Sequence, residues 1–332
     1  MGAASGADLA GLIEGYSQRV DLVRRQLGQV IFGQEETVEQ ALISILSGGH
    51  VLLIGVPGLA KTKLVDSLGQ VLGVDAQRVQ CTPDLMPSDI VGSEVLEESE
   101  SGRRSFRFIK GPVFCQLLMA DEINRASPRT QSALLQAMQE RKVSVAGHTY
   151  NLPEPFHVLA TQNPLEQEGT YPLPEAQLDR FLLKVVIGYP SHDDEVRMVT
   201  TVGHGRTAGE FDLSQVRAVA SAAEIVAMQR GTAQVALDPV VLDYAVRIAR
   251  ATRTAHGIAM GAGPRGSLAL VRAARAHAVL QGRDFVTPDD VREIAKPALR
   301  HRITLAPELQ IEGQSPDDAL HALLAKVEAP RK

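Results

Sequence analysis

Residues 51–62 read Val51-Leu52-Leu53-Ile54-Gly55-Val56-Pro57-Gly58-Leu59-Ala60-Lys61-Thr62. The apolar start of this stretch predicts a parallel strand buried on both faces, and a helical pattern follows from Lys61. A glycine-rich turn between a buried strand and a helix is the context in which a phosphate-binding P-loop occurs. Backbone N–H groups of the turn would surround a polyphosphate, Lys61 would neutralise its charge, and Thr62 would reach Mg²⁺.

Ala60 stands where the P-loop pattern normally has a glycine before the lysine. If the backbone there requires a positive φ, the Cβ of Ala60 is strained and crowds the phosphates. From this motif alone, the alternative to a P-loop is a strand, turn and helix that contain a lysine by chance.

Two adjacent carboxylates, Asp121 and Glu122, follow a second apolar run at residues 117–120. Because buried parallel strands end at one edge of a sheet, we expect both side chains at the edge that carries the P-loop. Asp121 would then bind the Mg²⁺ shell through water, and Glu122 would act as a general base on the attacking water. The alternative is a solvated turn or helix cap, which acidic residues after strands often form.

Asn163 and Arg180 are further candidates for contact with a nucleotide. Asn163 follows the apolar run 158–160, where an amide can contact both the γ-phosphate and the water, or can cap the turn before proline. Arg180 precedes another apolar run, and we interpret it as a charge donated to the nucleotide of a neighbouring subunit. A local ion pair with Asp179 is the alternative for Arg180.

Arg265 lies at the predicted start of a helix, after Gly263-Pro264. A cation at a helix start opposes the helix dipole, so another reason for its presence is expected, and nucleotide contact is one. An exposed arginine without a partner is the alternative.

Five short apolar runs alternate with helical patterns in the first part of the chain. The runs are residues 51–54, 79–81, 117–120, 158–160 and 181–187. This alternation predicts an α/β core with crossover helices, one of them at 130–140, and with ligands at the carboxyl ends of the strands. Residues 8–48 read as helical, with a break at Gly33-Gln34.

Strands cease after residue 190, and the rest of the chain reads as largely helical. One predicted helix has an apolar face formed by Leu268, Val271, Ala274 and Ala278. A glycine-rich segment at 203–209 is the predicted link between the two parts. The predicted organisation is a nucleotide-binding core at 1–190, a linker with connecting helices at 191–232, and an α-helical domain at 233–332.

Two segments interrupt the alternation of strands and helices. Residues 94–107 combine an acidic cluster with arginines, and residues 142–156 predict a hairpin with its turn at Gly147-His148. The alternative for both segments is a surface loop without a specific function.

The composition argues against several classes of protein. The 332 residues are 44% hydrophobic and 22% charged, which is close to average globular usage. A net charge of -5 removes a global basic field, so nucleic acid is not the expected partner. No stretch approaches the roughly 18 apolar residues of a spanning helix, and the N-terminus lacks a secretion signal. Cys81 and Cys115 lie far apart without a Cys/His cluster, so we expect a cytoplasmic protein without membrane insertion.

Taken together, these motifs resemble the AAA+ superfamily of P-loop ATPases, and their particular strings look like the MoxR family. The strings are Ile31-Phe32-Gly33-Gln34, residues 55–62 with their alanine, Asp121-Glu122-Ile123-Asn124-Arg125, Thr161-Gln162-Asn163-Pro164, residues 169–181 and Val286-Thr287-Pro288-Asp289-Asp290-Val291. The resemblance covers about residues 32–313 and implies an α/β P-loop AAA+ core, with a parallel five-stranded sheet flanked by helices, followed by a small all-α lid domain. MoxR-like P-loops commonly carry alanine before the lysine, which answers the objection to Ala60.

The resemblance also implies the residues that bind ATP and Mg²⁺. Gly33 and Gln34 would lie near the adenine. The phosphate site would comprise Gly55, Val56, Pro57, Gly58, Leu59, Ala60, Lys61, Thr62 and Lys63. Asp121 and Glu122 would lie at the Mg²⁺ ion and the attacking water.

The other candidate residues gain family roles in the same way. Asn163 corresponds to sensor 1, Arg180 to the arginine finger and Arg265 to sensor 2, which acts either on its own subunit's nucleotide or on the neighbour's. Residues 94–107 fall where this clade has its helix-2 insert, and residues 142–156 where it has a hairpin before sensor 1. Both would face a central pore or a client.

The function implied by this resemblance is that of a hexameric, ATP-driven chaperone that remodels other proteins. Partners of MoxR-like ATPases often contain von Willebrand factor A domains. The ATPase subunit of a magnesium or cobalt chelatase is the first alternative, because its core motifs are similar, but the string at 169–180 favours MoxR.

Two further alternatives are less consistent with the sequence. A nucleic-acid translocase needs a basic pore, whereas the predicted hairpin offers only Arg141, Lys142 and His148, and aromatic residues make up only 4% of the chain. A nucleotide-dependent scaffold without turnover is disfavoured because both Glu122 and Arg180 are present.

Overall fold

A parallel sheet forms the centre of this protein, whose computed structural model describes residues 6–98, 104–165, 169–203 and 216–330. In chain order its strands are β1 (Val51–Ile54), β2 (Ala76–Gln80), β3 (Gly92–Glu98), β4 (Arg104–Lys110), β5 (Leu117–Asp121), β6 (Lys142–Val145), β7 (His148–Asn151), β8 (His157–Gln162), β9 (Leu183–Val186), β10 (Ile258–Met260) and β11 (Thr304–Leu305). Its helices are α1 (Gly6–Leu27), α2 (Glu35–Leu46), α3 (Lys61–Leu72), α4 (Pro87–Val91), α5 (Pro128–Glu140), α6 (Glu175–Leu178), α7 (His192–Gly203), α8 (Ala222–Thr232), α9 (Pro239–Ala251), α10 (Pro264–Leu280), α11 (Pro288–Glu293), α12 (Ala295–Leu299), α13 (Pro307–Ile311) and α14 (Pro316–Lys326).

The central sheet of the described residues has five strands in the order β2-β5-β8-β1-β9, and every neighbouring pair is parallel. β5 is buried throughout and β8 almost so, because hydrophobic clusters cover both faces of the sheet. One cluster packs around α5, and the other runs through α1, α2 and α3 into the C-terminal helices. The predicted fold class, a five-stranded parallel core followed by a helical lid, is confirmed.

The predicted bounds of two strands are wrong. β2 spans Ala76–Gln80 instead of 79–81, because it is an edge strand in which only Val79 is buried and the apolar run marks only its end. β9 spans Leu183–Val186, within the predicted 181–187. Phe181 and Ile187 are buried beside this strand and extend its apolar run without belonging to it.

Both segments that interrupt the alternation are antiparallel hairpins. β3 pairs with β4 from Gly92 opposite Lys110 to Glu98 opposite Arg104, and residues 99–103 between them lie outside the described residues. β6 pairs with β7, and the turn is Ala146-Gly147, with φ of 48° and 84°. The turn therefore precedes the predicted Gly147-His148, because His148 already pairs with Val145.

The C-terminal helices depart from the sequence analysis in two details. β10 and β11 form a short antiparallel pair that no pattern predicted. The predicted apolar face of α10 is wrong at Leu268, which is 63% exposed, although Ala274 and Ala278 are buried. Alanines on several sides of α10 are buried, so apolar spacing alone does not define its packed face.

The segment between core and lid is described only in part. α7 and α8 fall within the predicted connecting region 191–232, while the predicted glycine-rich link lies, apart from Gly203, outside the described residues. The domain boundaries therefore stay predictions. None of the helices in the described residues combines the length and the apolar character needed to cross a membrane.

Asp290 joins α10 to the start of α11. Its carboxylate accepts hydrogen bonds from Arg283 Nη1 and Nη2 at 2.7 and 2.6 Å, from His277 Nδ1 at 2.6 Å, and from the Thr287 N–H and hydroxyl, both at 2.7 Å. Burial alone raises the pKa of Asp290, but these hydrogen bonds, with Arg283 foremost, outweigh it and hold the pKa well below its usual range. The ionised carboxylate therefore stabilises this part of the lid.

Asp290→Asn should lower the free energy of unfolding by about 3 kcal/mol at pH 7, because Arg283 loses its buried partner. The folded-state pKa lies below the unfolded-state value of about 3.9, so this stabilisation is present near neutral pH and is lost as the pH falls. Urea unfolding should show that the difference in free energy of unfolding between the wild type and Asp290→Asn is smaller at about pH 3 than at pH 7.

Asp289→Asn is the matched control, since Asp289 is exposed next to Asp290. It should change the free energy of unfolding by no more than about 0.5 kcal/mol. An Asp290→Asn deficit of equal size at both pH values would contradict a role for the ionised carboxylate.

Candidate active site

The loop after β1 has the geometry of a P-loop. Gly58 adopts φ +87°, which favours glycine, and Ala60 also lies in the left-handed region at φ 54° and ψ 22°. Lys61 Nζ donates to the carbonyl oxygens of Gly55 and Val56, the latter at 3.0 Å, so its charge is held inside the loop. The loop therefore places a lysine side chain and a turn of backbone at the carboxyl end of β1.

Ala60 meets the condition that the sequence left open, since its backbone does need a positive φ. A non-glycine residue in this region costs about 1 kcal/mol, a strain that the rest of the loop must offset. No side-chain hydrogen bond caps the start of α3 within the described residues, so the N–H groups of its first turn point into the loop. Such N–H groups are suited to bind an anion. Thr62 and Lys63 lie in this first turn.

Asp121 and Glu122 lie at the end of β5, at the same edge of the sheet as the P-loop. Asp121 Oδ1 accepts a 2.6 Å hydrogen bond from the Thr161 hydroxyl, which in turn accepts the Glu122 N–H at 2.8 Å. Thr161 is fully buried on β8, the neighbouring strand. This bridge fixes both carboxylate-bearing residues to β8, and Glu122 takes φ +55° to continue past the strand.

Two side chains of β2 contact the carboxylates directly. Arg78 Nη2 donates to Asp121 Oδ2 at 2.6 Å, and Gln80 Nε2 donates to Glu122 Oε2 at 2.8 Å. Arg125 Nη1 donates to the same Glu122 oxygen at 3.2 Å. The sequence analysis assigned no role to these three residues. Arg78 and Gln80 lie at i and i+2 of one strand and therefore share one face of it. The sequence analysis did not identify this pair, because it predicted that the strand begins at residue 79.

Asn163 follows β8 at the same edge, and its side chain is buried. The register pairs Ile54 of β1 with Gln162 of β8, so the P-loop and Asn163 leave adjacent strands side by side. Asn163 Oδ1 accepts the Leu165 N–H at 3.1 Å, which is the turn-capping contact that the sequence left open as an alternative. That contact engages the oxygen of the amide.

Gly33 and Gln34 border this edge from the connection between α1 and α2. Gln34 is buried and donates from Nε2 to the Gly188 carbonyl at 3.2 Å, just after β9. Gly33 adopts φ +64°, and a Cβ on it would stand 2.9 Å from Pro190. Both residues therefore lie beside the strand that flanks the P-loop strand.

Thr62 and Asp121 supply the oxygen donors that suit Mg²⁺. No group of three or more His, Cys, Asp or Glu side chains that could enclose a metal occurs in the described part of the chain. Mg²⁺ usually binds to one or two protein oxygens together with phosphates and water, so this sparse set fits it. The pairing of Asp121 with Arg78 means that bound Mg²⁺ would replace or share that contact.

Arg180 and Arg265 lie elsewhere. Both line a cavity of about 320 Å³ beside residues 48–50, which precede β1, whereas the P-loop follows β1. A strand of this length spans about 13 Å, so the two arginines lie at the opposite edge of the sheet from the P-loop. Asp179 pairs with Arg302 at 2.8 Å and with Arg265 at 3.5 Å, while its predicted alternative pairing with Arg180 is not found among the described residues.

Comparison with known proteins identifies relatives over almost the whole chain. Residues 50–183 match the family described as "ATPase family associated with various cellular activities (AAA)", and residues 250–323 match "AAA lid domain". Chaperone MoxR1 of Mycobacterium tuberculosis is 41% identical over 96% of this chain and 85% of its own length. Protein MoxR of Methylorubrum extorquens is 32% identical over 92% of this chain and 94% of its own.

A crystal structure has the same fold. A candidate ATPase from Cytophaga hutchinsonii superposes with a TM-score of 0.87 at 38% identity, covering 97% of this chain and 98% of that one. The similarity therefore extends over both the core and the lid. The chain therefore belongs to the MoxR family of AAA+ ATPases.

Proposed function

We propose that this protein is an Mg²⁺-dependent ATPase that assembles into a homohexameric ring and uses ATP hydrolysis to remodel protein clients. The observation that carries the proposal is the position of the two residue sets on opposite edges of one sheet. The P-loop with Asp121 and Glu122 lies where strands end, and Arg180 with Arg265 lies near where strands begin. A head-to-tail contact between copies would bring both sets together, and such contacts close into rings.

The nucleotide half of the site would use the P-loop edge. Residues 55–63 would bind the phosphates, with Lys61 turning from its loop carbonyls to the β- and γ-phosphates, and Gly33 and Gln34 would contact the adenine. Thr62 and Asp121 would hold Mg²⁺, which when bound neutralises charge on the phosphates.

Glu122 would accept a proton from the attacking water, and Asn163 would hold that water against the γ-phosphate. The hydrogen bonds of Glu122 to Gln80 and Arg125 occupy one of its oxygens. Binding of nucleotide would have to turn this carboxylate toward the water. The two donors would thus keep the base away from water until the site is filled.

The arginine half of the site would act on the neighbouring subunit. Arg180 would stabilise the charge that develops on the transferred phosphoryl group, and Arg265 would bind the same nucleotide. Because Arg265 shares a cavity with Arg180, we assign it to the neighbour's nucleotide instead of its own.

The β3/β4 hairpin supports a protein client. Leu96 and Phe106 face each other across the ladder and are 55% and 72% exposed, which gives the hairpin an apolar surface. Its two described arginines are paired with glutamates of the same hairpin, which reduces the positive charge available to nucleic acid. The name of its relative, Chaperone MoxR1, agrees with protein remodelling, and clients with von Willebrand factor A domains are part of this proposal.

We place the protein in the cytoplasm. Cys81 and Cys115 are buried free thiols, and burial raises the pKa of each to about 12, so neither is prone to oxidation. This arrangement suits a reducing compartment.

Lys61→Ala should abolish tight ATP binding, whereas Glu122→Gln should bind ATP and lose turnover by at least about 100-fold, because only the proton transfer is removed. Calorimetric titration with ATP and a steady-state phosphate-release assay measure the two effects separately. Wild-type turnover in Glu122→Gln would eliminate Glu122 as the general base.

Removal of Mg²⁺ with EDTA should stop hydrolysis, and added Mg²⁺ should restore it, because the phosphates then lose the metal that neutralises their charge beside Thr62 and Asp121. Zinc should not be needed for folding. Unchanged phosphate release in EDTA, or a stoichiometric zinc found by metal analysis, would contradict the proposed metal site.

Arg180→Ala should retain ATP binding and lose about three orders of magnitude or more in turnover. Mixed with Lys61→Ala subunits, it should regain activity, since an intact P-loop then meets an intact Arg180 at some interfaces. Specific activity of the wild type should rise with protein concentration. A mixture that stays inactive, although light scattering shows co-assembled rings, would disprove action of Arg180 on the neighbour.

A further inference from the structure

Five arginines line the cavity at the edge where β1 and β9 begin. They are Arg141, Arg180, Arg265, Arg272 and Arg302, and the single carboxylate among the lining residues is that of Asp179. The family motifs account for only two of these five arginines. The positive charge of this cavity is therefore larger than an arginine finger and a sensor require.

Asp179 neutralises only part of this charge, because its one carboxylate pairs with two of the five arginines. Its carboxylate accepts from Arg302 Nε at 2.8 Å and lies 3.5 Å from Arg265 Nη1. Arg302 is almost fully buried and also donates to the carbonyls of Phe181 and Leu182, so it is a positioning residue for the Arg180 segment. In the described residues, no carboxylate pairs with Arg141, Arg180 or Arg272.

Arg141 and Arg272 are held next to each other by the turn that precedes β1. Arg141 Nη2 donates to the Gly48 carbonyl at 3.1 Å, and Arg272 Nη2 donates to the Ser47 carbonyl at 2.6 Å. Both Nη2 atoms lie near the point where a Cβ on Gly48 would stand, at 3.4 and 3.9 Å. Two cations fixed this closely repel each other, and a shared anion would relieve that repulsion.

The pKa of Arg272 agrees with this geometry. Enclosure of its guanidinium and the nearby Arg141 charge both lower the pKa of Arg272, although much of its side chain is open to solvent. His50 in the cavity wall is a neutral imidazole near pH 7, since burial first, and then the charges around it, lower its pKa to about 3. Its imidazole bonds to the Met138 carbonyl and accepts the Val158 N–H, at 3.1 and 3.0 Å.

The side chain of Arg180 is a second indication that this cavity binds an anion. Its Nε is buried and has no hydrogen-bond partner among the described residues. A buried donor without a partner costs about 1–3 kcal/mol, unless a ligand accepts from it. Guanidinium groups bind phosphate oxygens in pairs, so this cluster has the chemistry of a polyphosphate site.

We propose that the cavity binds the triphosphate of the ATP held by the neighbouring subunit, and that Arg141 and Arg272 bind its phosphates together with Arg180 and Arg265. This inference rests on the proposed ring and adds two residues that no motif identifies. The cavity is open to solvent at Arg141, Arg265 and Arg272, on the sheet edge that a head-to-tail neighbour would cover with its P-loop. A free polyphosphate anion has the same chemistry and is the other source that the experiment separates.

Arg141→Gln and Arg272→Gln test the proposal by steady-state kinetics. Each should keep the ATP affinity of dilute subunits, because the P-loop is at the other edge, and should lower turnover at saturating ATP by about 100-fold. Arg272→Lys should recover part of the loss, since it restores the charge without the paired donors. Arg250→Gln on α9, an exposed arginine outside the cavity, is the control and should keep wild-type turnover.

Mixed rings separate a phosphate contact from a structural role. Arg272→Gln subunits mixed with Lys61→Ala subunits should regain turnover, because the arginine cavity of one subunit then completes the P-loop of the other. A variant that only weakens the fold of its own subunit would not be rescued, and its melting temperature would fall. Absence of rescue in co-assembled rings would overturn the proposal.

Inorganic tripolyphosphate distinguishes the source of the anion. Dilute Lys61→Ala subunits, which lack a working P-loop, should not bind it tightly in a calorimetric titration. Tight binding that Arg272→Gln abolishes would assign the cavity to a free polyphosphate and overturn the neighbour's nucleotide as its ligand.

If Arg180→Ala loses turnover while Arg141→Gln and Arg272→Gln keep it, the proposed function stands and this inference fails. A wild-type protein without ATPase activity would instead defeat the proposed function itself.

Discussion

The common direction of the five sheet strands is the constraint on which the rest of this structure depends. Because β1, β5 and β8 are parallel and adjacent, the segments that follow them leave from one edge of the sheet. The P-loop, Asp121 and Asn163 reach that edge from distant parts of the sequence. The same constraint sends the segments before β1 and β9 to the opposite edge, where Arg180 lies.

Hydrogen bonds between strands set the carboxylates at the P-loop edge. Thr161 of β8 bridges Asp121 to the backbone of Glu122, and Arg78 and Gln80 of β2 each hold one of the two carboxylates. The side chains of three neighbouring strands thus converge on one pair of residues. In the proposed mechanism, a metal or water that enters this site would compete with these charged and polar partners, so nucleotide binding would require the side chains to rearrange.

Much of this arrangement follows from the sequence because buried strands and short motifs are local signals. Gly55 to Thr62 and Asp121 stand directly after an apolar run, Asn163 stands three residues after one, and their convergence needs only parallel strands. Arg78, Gln80, Arg141 and Arg272 carry no such signal. Arg78 and Gln80 lie on an edge strand that is mostly exposed, and Arg141 and Arg272 meet only through the packing of α5 and α10 beside the turn before β1. Contacts of this kind depend on tertiary packing, which spacing in the sequence does not report. Leu268 shows the same limit in reverse, since an apolar residue at helical spacing points to solvent.

The central claim is that one subunit completes the nucleotide site of the next from the opposite edge of its sheet. An electron cryomicroscopy structure of the Glu122→Gln protein with ATP tests it most directly. The account predicts closed rings in which the Arg180 guanidinium lies within hydrogen-bonding distance of the neighbour's γ-phosphate. Rings, or single subunits, in which Arg180 stays far from every nucleotide would contradict it.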